Sequence, residues 1–198
     1  MAVDVAPSGA EPVKRMRRIE RREQILHAAT RAFCSHGFVA TSLDDVAGEA
    51  GITRVLLYRH FDSKADMYRA VLERGCARLG EVIDAKHLYS ESLPALFRAA
   101  SANPDAFRLL FRHAAREPEF RGFADALTAP LAEIIHRNLT EHLPAGPWLD
   151  WAAHIVPTFA IEAVISWLDV GRPDPDLAAE RIDQAIRGVI HAAHSGSG

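Results

Sequence analysis

Between Thr41 and Phe61 the apolar positions change register in a way that predicts two short helices joined by a turn. Leu43, Val46, Ala47 and Ala50 recur at spacings of three and four, which puts them on one face of a helix. Ser42 stands before that face as an N-cap, and Asp45 three positions on suits a capping box. Gly51 follows where the chain must leave the helix, a place for left-handed backbone. Thr53 suits the cap of a second helix, whose Leu57 and Phe61 sit four apart and face inward. Val55, Leu56, Tyr58, Arg59 and His60 are left on its other faces, with Arg54 in the first turn. The pattern is a helix-turn-helix with a basic, aromatic and apolar outward tip.

Beyond it every readable segment is helical, and no strand pattern or internal repeat competes. Ser63 and Asp66 repeat the capping pattern and open a helix carrying Met67, Ala70, Val71 and Leu72 inward, running to about Asp84. Leu93, Leu96 and Phe97 begin another. Asn103-Pro104-Asp105 restarts the helix, with proline at its first position, and Phe107, Leu110, Phe111, Ala114 and Ala115 form its stripe until Glu117-Pro118. A further helix carries Leu127, Leu131, Ile134, Ile135 and Leu139. After Pro144, Gly146 and Pro147 comes a long apolar helix from Trp148, with Pro157 inside it as an expected kink. Gly171 to Pro175 makes the last turn, and Leu177, Ile182, Ile186, Val189 and Ile190 mark the final helix. The fold class is all-α.

Charge divides the chain. Residues 1–74 hold 12 Lys and Arg against 10 Asp and Glu, whereas residues 75–198 hold 11 against 16. Lys14, Arg15, Arg17, Arg18, Arg21 and Arg22 form a basic arm with one acid, Glu20, upstream of the helix-turn-helix, as suits a phosphate backbone. Met1 to Pro12 reads as a disordered tail and not a leader peptide. The most apolar stretch, 148–170, is interrupted by Asp150, His154, Pro157, Glu162 and Asp169, which argues against a membrane span. Cys34 and Cys76 make no metal-type pair and read as small fillers. The expected compartment is the cytoplasm.

The motif and its surroundings resemble a known family. Phe33-Cys34-Ser35-His36-Gly37-Phe38, then Thr41, then Tyr58-Arg59-His60-Phe61 and Asp62-Ser63-Lys64 match the pattern of TetR-family transcriptional regulators, and the helical order agrees along the whole length. The resemblance implies three parts: a disordered tail at 1–14, a DNA-binding domain at 15–62, and a ligand-binding and dimerisation domain at 63–198. It further implies a homodimer through residues near 148–170 and 175–192, double-stranded DNA bearing an inverted repeat as partner, and release by a small-molecule effector, usually from a repressed operator. The long apolar helix carries Trp148, Trp151, Ile155, Val156, Phe159, Ile161, Val164, Ile165 and Trp167, more than one small body covers easily.

Roles follow from chemistry. Thr41, Thr53 and Lys64 stand at helix starts, where hydroxyl, ammonium and backbone N–H groups suit phosphate, and the Tyr58 hydroxyl suits it too. Arg54 is the candidate for bidentate reading of guanine, with a phosphate contact as the alternative; Leu56 suits a thymine methyl and His60 either a base or a phosphate. Leu56 departs from the small or hydroxyl residue usual in the family. In the body, Phe107, Phe111, Trp148, Trp151 and Phe159 are candidate walls for a largely apolar effector, with His154, Thr158 and Glu162 as polar handles and ordinary core packing as the competing reading. Arg108, Arg112 and Arg116, four apart, suit an anionic ligand less well than pairing with local acids. His191 and His194 lack carboxylate partners in a metal pattern, and no nucleophile elbow or phosphate loop is present, so no metal, cofactor or catalytic residue is assigned. The rival reading is a helical small-molecule binder that does not bind an operator.

Overall fold

The computed structural model describes residues 18–82, 92–141 and 143–195. The expected tail at 1–14, the arm residues Lys14, Arg15 and Arg17, and the expected helix end near Asp84 lie outside them. All described regular structure is helical. Helix α1 spans Arg18–Ala40, α2 Leu43–Glu49, α3 Arg54–Tyr58 and α4 Lys64–Val82. Then come α5 at Ser92–Ala102, α6 at Pro104–Arg108, α7 at Arg121–Leu139, α8 at Pro147–Asp169 and α9 at Pro175–Ser195.

The start signals act as their chemistry dictates. Ser42 and Asp45 form the reciprocal capping box of α2, with Ser42 Oγ accepting from the Asp45 amide at 3.1 Å and the Asp45 carboxylate accepting from the Ser42 amide at 2.8 Å. Gly51 takes φ 63°, so the turn into α3 needs no strained side chain there. Thr53 caps α3 by accepting from the Leu56 amide at 3.3 Å. Asn103 precedes α6 but caps nothing, because its Oδ1 accepts instead from Arg78 at 3.1 Å. Beyond Arg108 the helix widens into a π turn at Leu109–His113 and tightens into a 3₁₀ turn at Ala114–Arg116, which ends where Glu117 becomes extended.

One apolar core runs through α1 to α8 without a break at the head. Ile25, Leu26, Phe33, Val46, Leu57, Phe61, Met67, Leu72, Phe107, Leu110, Val164 and Ile165 all belong to it. Phe33, Phe38, Tyr68 and Phe120 stack around one another with ring centroids 4.7–6.3 Å apart, joining α1 and α4 to the start of α7. A smaller cluster of Leu139, Leu143, Leu149, Ala152, Ala153 and Ala193 closes the far end of α7, α8 and α9. Helix α8 continues through Pro157, which is buried. By length and composition this helix is apolar enough to cross a membrane, and half of its most apolar window is buried inside the protein.

Candidate nucleic-acid interface

Helix α3 is held by its inner face. Leu57 is wholly buried and Phe61 is nearly so, which fixes the rotation of the helix and turns the opposite face outward. With 3.6 residues per turn, Val55 lies about 200° from Leu57 and Leu56 about 100°. Val55 is therefore the apolar side chain displayed most openly, at 68% exposure, while Leu56 is half-buried. The sequence reading chose Leu56 for a methyl contact and passed over Val55. The signal for Val55 was its place two residues before the buried Leu57, nearly opposite it on the helix.

Arg54, Tyr58 and Thr53 share the exposed face. The Arg54 guanidinium donates to Asp44 of α2 at 2.9 Å and to the Tyr58 hydroxyl at 3.4 Å, and lies over the Tyr58 ring with 5.7 Å to its centroid. Its planar fork is thereby laid along the outer surface. Arg59 is exposed beside it, and His60 is half-buried at the end of the turn. Burial first, and then Arg18, Arg22 and Arg21, hold the His60 imidazole below its ordinary pKa. Arg22 also sits over the Phe61 ring at 5.0 Å. The described part of the basic arm thus approaches the end of α3.

Two expected phosphate ligands are turned inward. Thr41 is 1% exposed, and its hydroxyl donates toward the carbonyls of Gly37 at 2.7 Å and Ala32 at 3.2 Å. Lys64 reaches back across α1, where its Nζ donates to the carbonyls of Phe38, Val39 and Thr41 at 2.8, 3.2 and 3.1 Å and lies 4.6 Å from the Phe38 ring centroid. An ammonium has three N–H groups, so this set uses all of them. The physical reason is the end of α1: Gly37 leaves helical geometry at φ 75°, ψ 173°, and the carbonyls set free there need donors. The Thr41 hydroxyl and the Lys64 ammonium, expected at a phosphate, are here engaged with the carbonyls at the end of α1.

The comparisons bear on the same segment. Residues 25–71 match the model of the bacterial regulatory proteins of the tetR family. The HTH-type transcriptional activator FasR of Mycolicibacterium smegmatis is 29% identical over 195 residues, covering 92% of this chain and 85% of its own. The HTH-type transcriptional regulator TtgR of Pseudomonas putida is 46% identical over 54 residues, 27% of this chain and 26% of its own. A solved TetR-like transcriptional regulator from a Rhodococcus species superposes with a TM-score of 0.69 at 21% identity, covering 92% of this chain and all of that one. Residues 25–71 thus carry the DNA-binding segment of the tetR family, and the chain is similar to TetR-family transcriptional regulators along its length. It carries an N-terminal helix-turn-helix, built from α2 and α3, and a helical C-terminal body.

In the helical body the expected effector residues do not converge. Phe107 and Phe111 are buried against each other with centroids 4.8 Å apart, as core. Trp148 and Trp151 are 49% and 41% exposed, and His154, Thr158 and Glu162 are exposed along the same side of α8, with Phe159 half-buried. The reason is helical period: Leu149, Ala152, Ala153, Val156, Ile161, Val164, Ile165 and Leu168 take the inner face, and the expected handles fall opposite. His154 borders a space of about 370 Å³ between α7 and α8. A larger cleft of about 690 Å³ lies between α5 and α9, walled by Pro94, Phe97, Ala102, Pro175 and Ala179 with Arg98 and Asp176 beside them. The sequence reading missed it because its walls come from segments far apart in the chain. Arg108 and Arg112 both donate to Asp169 at the end of α8, at 2.9 and 2.7 Å, and hold its carboxyl below the usual range against the opposing effect of burial.

Proposed function

We propose that this transcriptional regulator binds an inverted-repeat operator as a homodimer and leaves it when a small molecule occupies the body, repressing where the operator overlaps a promoter. The observation that carries the reading is the outer face of α3, where Thr53, Arg54, Val55 and Tyr58 are exposed together above a rigid Leu57–Phe61 anchor. A groove-reading helix needs that combination: a donor fork for guanine, a small apolar group for a thymine methyl and flanking hydroxyls for phosphate. Arg54 and Val55 take the base-reading roles, Thr53 and Tyr58 the phosphate roles, and Leu56 and His60 lie at the edge. Thr41 and Lys64 act by shaping the segment between α1 and α2. Residues 15–62 serve as the reading head and 63–198 as the body.

Dimerisation is supported by what α8 and α9 leave uncovered. Trp148 and Trp151 stack edge to face at 5.9 Å on the outer side of α8, and Leu177 of α9 is 42% exposed. Exposed large aromatics on one helix face mark an association surface. A two-fold axis through such a seam presents two copies of α3 to half-sites about 34–36 Å apart. The effector reading rests on the α5–α9 cleft, whose apolar walls suit a largely apolar molecule. Release then requires that the molecule favour the arrangement that does not fit the operator, since equal affinity for both shifts nothing.

The test is selection of bound duplexes from a random-sequence pool with the full chain, followed by a gel shift. The expected outcome is enrichment of a palindromic site bound by two chains. Failure to enrich any sequence at low salt favours a small-molecule binder without an operator.

A further inference from the structure

A third cleft, of about 150 Å³, lies where α1 and α4 meet the start of α6, and its chemistry differs from the rest of the surface. Arg31, Arg74 and Arg78 line it, together with His27, Thr30 and Asn103, against one carboxylate, Asp105. Its Oδ1 lies 3.8 Å from Arg108 and accepts a long contact from the Cys34 thiol at 4.0 Å. Arg31 spends its Nε on Glu49 at 2.7 Å, and Arg74 spends one nitrogen on Glu23 at 2.9 Å. Each guanidinium has five N–H groups, so these pairings leave donors over. The Arg74 side chain is only 14% exposed and packed beside His27, whose Nε2 is 2.6 Å from an Arg74 nitrogen. Because arginine only donates, His27 accepts there and is held neutral. Burial first, and then Arg74 and Arg78, lower the pKa of His27 against Glu23, and burial followed by Arg78 lowers that of Arg74 against its pairing with Glu23.

We propose that this cleft binds a tetrahedral oxyanion, inorganic phosphate or a phosphate monoester, between Arg31 of α1 and Arg74 and Arg78 of α4. Three guanidinium groups from two helices suit an ion with oxygens in several directions and more than one negative charge. The volume admits a phosphoryl group with a few waters, taking each water as about 30 Å³, and leaves the rest of any larger molecule outside. Gly75 lies in the wall, and a Cβ there would come within 3.1 Å of Leu110 in the π turn and 3.8 Å of Ala106 in α6. The site is separate from the reading face. Arg74 and Arg78 stand ten and fourteen residues along α4 from Lys64, and ten residues of helix span about 15 Å. An anion here bridges α1, which belongs to the DNA-reading head, and α4, which opens the body, beside α6.

The experiment is a calorimetric and ³¹P NMR titration of the full chain with inorganic phosphate and with phenyl phosphate at constant ionic strength, without DNA. The expected result is saturable binding at one site per chain, weakened at least about ten-fold in Arg78→Gln and retained in part in Arg78→Lys, where the charge stays but the fork is lost. Tighter binding of phenyl phosphate assigns the site to a phosphate monoester, and equal binding assigns it to the free ion. Arg31→Gln, whose side chain is half exposed, should give the same loss and replaces Arg78→Gln if that variant does not fold. Absence of saturable binding, or equal binding by wild type and a folded glutamine variant, overturns the proposal. Operator binding does not enter the readout, so its failure and this one are distinguishable.

Discussion

Lys64 shows how far a side chain's role depends on what lies across from it. At a helix start its ammonium looks ready for phosphate, yet the open end of α1 offers three carbonyls and takes it. Lys64→Ala is therefore expected to destabilise the fold by about 1–3 kcal/mol in chemical denaturation, the range for hydrogen bonds to a charged group. The salt dependence of operator binding should keep its slope, and a slope flattened by about one unit would return Lys64 to the phosphate set. Arg54 carries the opposite expectation. Its guanidinium is on the surface and held only by exposed partners, Asp44 and Tyr58. Arg54→Ala should weaken the selected operator by roughly ten-fold or more and relax discrimination at a single base pair. Asp44→Asn removes a competitor for the same fork and should strengthen binding to all duplexes alike, measured by anisotropy at matched salt. A loss in that variant would mean that Asp44 positions Arg54 for the base.

At the scale of elements, α2, the turn and α3 were legible because each boundary is decided locally. Ser42, Asp45, Gly51 and Thr53 act on backbone groups within four residues of themselves, and every one of those contacts is present or, for Gly51, the backbone angle is as expected. Nothing lies within 4 Å of an added Cβ at Gly51, so Gly51→Ala tests conformation alone. It should cost about 1–2 kcal/mol, the usual penalty of left-handed backbone for a residue with a Cβ, read as a lower denaturation midpoint with unchanged slope. A neutral result would mean that the turn adopts another geometry in solution. The π turn at Leu109–His113 was not legible, because Phe107, Leu110, Phe111 and Ala114 keep an ordinary helical stripe through it. Asn103 likewise carried a cap signal that Arg78, twenty-five residues away, diverts.

For the whole molecule, the proposed dimer rests on the outer faces of α8 and α9. Trp151→Glu places a charge on the exposed aromatic pair without entering the core, so it should yield a folded monomer by sedimentation with helical content retained. A dimer surviving both this change and Leu177→Glu would move the seam elsewhere. Acid should loosen the fold as a unit. His27, His60 and His113 all have lowered pKa values, burial being the first cause in each, so the unfolded chain takes up protons more readily than the folded one. Stability is then complete above the unfolded histidine value near 6.5 and falls as pH drops through it toward the lowered folded values. The melting temperature should decrease between about pH 7.5 and pH 5.5, and His113→Gln should shrink that decrease. An unchanged melting temperature would contradict the sign.

The sequence by itself determined the helical class, the limits of the helix-turn-helix and which side of α3 faces in, because capping, glycine turns and helical period act over one or two turns of chain. Tertiary structure decided the rest. It buried Thr41, tied Lys64 to the end of α1, set Val55 outermost in place of Leu56, and split the expected effector residues between a core and an outer face. It also gathered Arg31, Arg74 and Arg78 around one cleft. Each of those outcomes depends on which carbonyl, ring or carboxylate a second helix brings opposite, and helix pairing over long separations leaves no periodic trace in the residues themselves.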